Sequence, residues 1–518
     1  MRIVRAAGLA GGIIAAALLA WNTAASLPGA DFRDLTPRGR RYRLPIAAAI
    51  AHYLDAEYPT ATPPAAASSE MVDLYRKRVA RAAEAAGIRP WQFWRTIDAG
   101  PFLADRLSFP FRPFDDTGRV LLLSAAFRAR HGIAPYLDFW LGTILCAPLL
   151  AWTAVELGEA GLPTAALVFP ALFAASAYAV GALALTYSTA GFYVAGFLAL
   201  VPWTIYALLG SRSRLGFAGK LALAALLFAT CALCRSSCLF LLPGFLVALV
   251  IASRRVFEGG QLARYGMTCL AAAALVAPYL LLRPPQHHDV WLSLWEGLGD
   301  FDRTKGHYWS DHEALKVLAA HGEPRNGPHS EQIFRDLSLA HVREDPPWYA
   351  GILARRAWVT LSQRKLWPWG PRDGVSMEPH VRANEGAIDD YYRLTPTADQ
   401  FQLGARRVEA PVWLLLLPTW LLPIGLVGRA RATSETRRRR TRGLAALALL
   451  GVSALGVPVL ITTAGAIETE TFVLVYLLGS ALAIEEMVRA AAAYNARLPH
   501  AKESVHASRR PLRSHPGQ

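Results

Sequence analysis

Between two apolar runs of membrane-spanning length, residues 429–443 read RARATSETRRRRTRG, with seven Arg in fifteen residues. A short loop this basic does not cross a bilayer, so it marks the cytoplasmic side and makes the chain a polytopic membrane protein. Nucleic acid is a poor partner for Arg437 to Arg440, because the spacer is short and tethered to lipid at both ends. With that loop inside, every other connector takes a side by counting spans.

The 518-residue chain is 53% hydrophobic, too apolar for two ordinary soluble domains. Its net charge of +15 collects largely in short connectors and in the tail, as positive-inside bias demands. The five Cys lie in or beside apolar runs and form no disulfide framework; Cys231, Cys234 and Cys238 have a metal-like spacing in a stretch meant for lipid or helix contacts.

The apolar runs predict an all-α fold with about ten transmembrane helices. They are Ala6 to Leu27, Leu137 to Leu157, Thr164 to Leu185, Gly191 to Gly210, Phe217 to Cys234, Cys238 to Ala252, Tyr265 to Leu282, Ala410 to Val427, Leu444 to Ala464 and Thr471 to Val488. The first, residues 1–27, is favoured as a retained helix over a cleaved signal, although Thr23-Ala24-Ala25 offers a cut site. The connectors Ser211 to Lys220 and Ser253 to Arg264 are basic and fall inside, while Thr186 to Ala190 is uncharged and falls outside. The two runs flanking Arg235 are short, which leaves a re-entrant pair as an alternative to two spans.

Two long polar segments, 28–136 and 283–409, both fall on the extracytoplasmic side. Prolines break the first into short amphipathic helices suited to the outer leaflet; the second is a loop or small domain. They flank the helix block 137–282, the last three spans occupy 410–488, and the basic tail 489–518 is expected to be disordered with affinity for anionic lipid.

No phosphate-binding glycine loop is present, so an active site roofed by the outer segments must draw on a substrate carried in the lipid. Phe114-Asp115-Asp116-Thr117-Gly118 precedes the second span, and Arg235-Ser236-Ser237 forms an outer turn. With these echoes, the arrangement resembles the glycosyltransferase-C superfamily, membrane enzymes that take a sugar from a polyprenyl-phosphate carrier. The likeness is one of architecture and covers most of the chain. It implies a first-loop carboxylate that acts as base or helps hold a divalent metal, and a lipid-linked sugar as co-substrate.

Asp115 and Asp116 are the first candidates, since paired carboxylates raise each other's pKa and divide the work of accepting a proton and orienting. Asp31 and Asp34 form the second pair, and the alternative for Asp115-Asp116 is a helix cap ahead of Thr117. Arg235, a guanidinium between apolar runs, suits a carrier phosphate; the competing reading is snorkelling or pairing with a loop carboxylate. Trp367 and Trp369 are candidate sugar contacts among tryptophans that otherwise pack or anchor. Glu468 faces the same side in the last outer turn, though the following residues, Glu470-Thr471-Phe472, lack the Arg that the resemblance implies.

The histidines of the late segment are numerous but irregular. His307 and Asp311 stand four apart and Asp311-His312 are adjacent, so a metal site is imaginable. The spacing is loose, surface polar residues are the favoured reading, and no metal site is assigned. The expected protein is a bacterial inner-membrane glycosyltransferase acting on a cell-envelope acceptor. The alternatives are an envelope polysaccharide polymerase or ligase, a flippase, and a non-catalytic assembly protein.

Overall fold

The computed structural model describes residues 2–26, 85, 117–130, 137–185, 188–209, 213–256, 260–282, 290–301, 305, 307, 311–324, 327–362, 400–409, 447–448, 450–461 and 470–508. Within them the chain is overwhelmingly helical. Five helices are long and apolar enough to cross a membrane: Gly8–Ser26, Trp140–Glu159, Gly191–Leu209, Leu215–Cys234 and Ser236–Ser253. Pro163–Ala175 and Gly266–Leu281 are shorter apolar helices. The expected run from Ala410 to Val427 lies outside the described residues.

The first helix, α1 (Arg2–Ser26), runs antiparallel to α3 (Leu137–Glu159) at very close range. A Cβ on Gly12 would stand 2.6 Å from the Ala151 Cα, and one on Gly8 would stand 2.9 Å from the Ala154 carbonyl oxygen. Gly8 and Gly12 form a small-xxx-small seam, through which two backbones approach and gain dispersion contacts where lipid offers no hydrophobic drive. At the other end of the same pair, the Thr23 and Thr143 hydroxyls hydrogen-bond at 2.8 Å.

The next apolar run is not one helix. α4 (Pro163–Ala175) stops at Ser176, whose backbone is extended, and the chain resumes as a single turn, α5 (Ala177–Val180), then a π-helical turn, Gly181–Leu185. Pro163 suits the first helical position because its missing N–H has no intrahelical acceptor there. Two of the amides that follow, Thr164 and Ala165, donate to the carboxylate of the distant Glu485 at 2.7 and 3.1 Å.

α6 (Ser188–Leu209) is the central post: every residue from Gly191 to Leu208 is buried. It packs against α3 and against α7 (Arg214–Cys234), with Trp203 wedged between Phe217 and Phe245 at 5.2 and 5.0 Å. After α7 the chain turns at Arg235, makes a 3-10 segment, Ser236–Leu241, and continues as α8 (Leu242–Val256) and α9 (Gln261–Leu282). Ser236–Ser253 has spanning length once the 3-10 turns are counted, which removes the motive for a re-entrant pair. α2 (Thr117–Arg130), the one described helix of appreciable length from the first polar segment, lies against α7.

The late polar segment contains a small helical unit: α10 (Val290–Gly297), α11 (Asp311–Ala320), α12 (Ser330–Glu344) and α13 (Pro346–Ser362). Its core is Trp295, Ala314, Leu318 and Phe334, packed by Trp291, Leu292, Val317, Ile333 and Leu337. An antiparallel hairpin follows, β1 (Gln400–Leu403) and β2 (Arg406–Glu409), a correction to the all-α expectation. A second π-helical turn, Val457–Ile461, precedes α14 (Glu470–Ser508), which carries the last expected span and extends 20 residues past Val488.

Candidate functional site

The bundle has two unlike ends. At one, the ionisable residues of the apolar runs are held by protein partners. Glu156 on α3 accepts hydrogen bonds from Lys220 and, at 2.8 Å, from the Trp152 indole. Glu485 on α14 caps α4 and is bonded by Arg489 at 2.6 Å, and Arg489 also reaches the Gly161 carbonyl. A carboxylate at a helix N-terminus satisfies orphan amides and complements the helix dipole. These groups bind the helices to one another.

The other end collects the polar elements. Asn22, near the end of α1, donates to the Ala174 carbonyl at 2.8 Å and to the Gln402 carbonyl at 2.9 Å, and accepts from the Gly404 amide at 2.7 Å. Gln402 returns bonds to the Asn22 carbonyl and the Ser26 hydroxyl at 3.2 and 2.8 Å. The hairpin also bridges Ser176 through Phe401, so the break in the α4 run is where a strand docks. Gly404 turns the hairpin at φ +60, with the Trp21 ring so close that a Cβ would stand 2.9 Å from it. Only glycine meets both conditions cheaply.

Arg235 lies at this same end. Gly142 of α3 faces Gly191 of α6, and Cys238, three residues past Arg235, lies against the Phe192 carbonyl at 3.7 Å. Arg235 is half-buried with extended backbone; its amide still closes the last turn of α7 on the Cys231 carbonyl at 2.8 Å. Beside it, α2 begins. A Cβ on Gly118 would stand 2.6 Å from the Leu233 carbonyl carbon and 2.9 Å from the Cys234 amide nitrogen. Arg119, the next residue, is almost fully buried.

The late helical unit is fixed to the same end through Val457 and Ile461, which pack with Phe240, Val290 and Leu294. A buried ion pair locks it. The Arg356 Nε donates to the Asp300 carboxylate at 2.9 Å, both side chains having no exposure. Its Nη1 donates to the Val459 and Leu460 carbonyls of the π-helical turn at 3.3 and 3.1 Å. A π-turn leaves carbonyls unclaimed by the helix, and here a guanidinium takes two of them.

Within that unit His307 is buried against Trp295, His341 and Trp348, its ring centroid 5.3, 4.5 and 6.4 Å from theirs. Burial, then His341 and Lys305, push its pKa down to about 4, so the ring is neutral near pH 7. The surface reading of His307 is therefore corrected: aromatic neighbours enclose it. His321 and His329 are exposed as expected.

Of the candidate catalytic and substrate-binding residues read from sequence, Arg235 alone is described. Asp31, Asp34, Asp115, Asp116, Trp367, Trp369 and Glu468 lie outside the described residues. The elements that flank several of them converge, since α1 ends before Asp31, α2 begins directly after Asp116, and both ends meet the Arg235 side of the bundle. Among the described residues no three His, Cys, Asp or Glu side chains form a ready-made metal cage. Asn22, Gln402, Asp300 and Arg356 escaped sequence reasoning. Asn22-Thr23 inside an apolar run was a usable sign, because polar groups at such depth need partners. The Asp300–Arg356 pair, 56 residues apart, leaves no local sign.

No family model, curated protein or solved structure matches the chain.

Proposed function

We propose that this protein is a membrane glycosyltransferase of the bacterial inner membrane, which moves a sugar from a polyprenyl-phosphate carrier to a cell-envelope acceptor on the extracytoplasmic face. The observation that supports the reading is the Gly118 contact. It brings the start of the helix that directly follows Asp115-Asp116 against Leu233 and Cys234, the two residues before Arg235. The helix that follows the first-loop acid pair in sequence thus rests on the backbone that leads into Arg235.

In this mechanism Asp115 or Asp116 takes the proton of an acceptor hydroxyl as its oxygen attacks the anomeric carbon. The bond from that carbon to the carrier phosphate oxygen breaks, its electron pair stays on the phosphate, and Arg235 holds the growing charge. The lipid-borne donor needs no cytoplasmic entry, in keeping with the missing nucleotide loop.

The test is mass spectrometry of envelope glycans and lipids from a deletion strain carrying wild type, Asp115→Asn with Asp116→Asn, Arg235→Lys or Arg235→Ala. The expected result is loss of one glycosyl unit on deletion, full rescue by wild type, weak rescue by Arg235→Lys and none by Arg235→Ala or the double Asn variant. Full rescue by Arg235→Ala removes the phosphate role, and an unchanged profile on deletion removes the transferase reading.

A further inference from the structure

The late helical unit has a concentration of buried polar atoms without hydrogen bonds. Among the described residues, neither ring nitrogen of His307 has a hydrogen-bond partner, nor do the Nδ1 of His341 and the hydroxyl of Ser338. His307 is 4% exposed and Ser338 fully buried. Ser338 and His341 lie three apart on α12, hence on one helix face, which Phe334 continues toward Trp295. Native interiors rarely tolerate such groups singly, and the three unbonded atoms of His307 and Ser338, beside a His341 nitrogen whose carboxylate neighbour Glu344 stands at 3.7 Å, call for a group from outside the chain.

We propose that His307 and His341 bind a divalent transition-metal ion through their imidazole nitrogens. The rings stand at 88° with centroids 4.5 Å apart. Two imidazoles sharing an ion at roughly 2.1 Å have centroids about 4.6 Å apart at a right-angled bond angle and about 5.3 Å at a tetrahedral one, so the observed spacing matches the narrow end. The charge around the pair is mixed: Lys305 opposes positive charge at His307, while two carboxylates stand beside that lysine. Lys305 is within 3.6 Å of both Glu344 and Asp345, so one ammonium faces two carboxylates, and Glu344 also approaches His341 at 3.7 Å. Trp295 and Trp348 wall the pair on the His307 side and limit solvent there. With two protein nitrogens, the ion keeps positions for water or for an oxygen of a bound ligand, and the Ser338 hydroxyl can bond to such a water. The ligand class is borderline metals that prefer imidazole, Zn2+ or Co2+ rather than Ca2+ or Mg2+. The site stands independently of the transferase reading, because no residue of the proposed reaction belongs to it.

The experiment uses the full chain in detergent or lipid nanodiscs, stripped with EDTA, desalted and titrated with Co2+ while the visible spectrum is followed. Zn2+ displacement and elemental analysis then give the stoichiometry. Wild type is expected to take up about one ion per chain, with a higher Tm on Zn2+ loading. His341→Gln, at a half-buried position where replacement leaves no hollow, is expected to weaken binding about tenfold or more, and His307→Gln to abolish it. The paired control, His321→Gln with His329→Gln, removes exposed rings and should bind as wild type does. No uptake by wild type, or unchanged uptake by His341→Gln, overturns the site.

Discussion

Two buried charges show how single residues hold the polar end together. Arg356 has no exposure, yet its guanidinium serves three acceptors, the Asp300 carboxylate and two carbonyls of the π-helical turn. Removing one member of such a pair leaves the other charge desolvated and uncompensated, at a cost of about 3–5 kcal/mol. Arg356→Met and Asp300→Asn are each expected to lower the Tm of the purified protein substantially. The combined Arg356→Met, Asp300→Leu variant should recover part of the loss, because no bare charge then remains. A double-mutant loss equal to the sum of the single losses would show that the two groups act independently. Glu485 plays the corresponding part at the opposite end, where its carboxylate takes the Thr164 and Ala165 amides. Glu485→Ala orphans both donors and should cost about 1–3 kcal/mol, while Glu485→Gln keeps an acceptor oxygen and should cost less. Equal Tm values for the two variants would mean that the helix cap contributes nothing.

At the scale of elements, sequence periodicity located the helices well because a spanning run leaves little choice: Leu137, Gly191 and Cys234 each fall within three residues of an observed helix end. It failed where tertiary contact overrides composition. The run from Thr164 to Leu185 is as apolar as its neighbours, but a hairpin more than 200 residues away pairs with Ser176 and opens it. Nor did the site candidates emerge as a group, since the approach of the elements that flank them depends on glycine seams whose partners are remote in sequence. Those seams can be tested one at a time. Gly12→Val forces a side chain into the Ala151 backbone and should separate α1 from α3, lowering folded yield, whereas Leu9→Val on the exposed face should not. Gly118→Val meets the Leu233 and Cys234 backbone and should displace α2 from the Arg235 turn. Since α2 is peripheral to the central post, the expected outcome is a folded protein with loss of rescue in the glycan assay. Retained rescue would detach the acid pair from Arg235.

For the whole molecule, the decisive property is which end faces the cytosol, and the charges supply the physical argument. The Glu156–Lys220 and Glu485–Arg489 pairs share their end of the bundle with the start of α7 and the end of α8, by the helix directions, and the sequence just outside those two helix ends is basic. On the proposed reading, positive-inside bias sends the hairpin, the Arg235 turn and the late helical unit outward together. Single cysteines at two exposed positions, His321→Cys in the late unit and Tyr494→Cys beyond the last expected span, report the two sides. The parent should carry Cys269→Ser, because Cys269 is exposed while the other four thiols are buried. In intact spheroplasts a membrane-impermeant maleimide is expected to modify position 321 at once and position 494 only after permeabilisation. The reverse pattern would place Arg235 and the acid pair toward cytosolic water, where soluble activated sugars are accessible. A lipid-borne donor would then lose its physical reason, and the transferase proposal would fall with it, while the histidine pair, the Arg356 clamp and the glycine seams would stand unchanged.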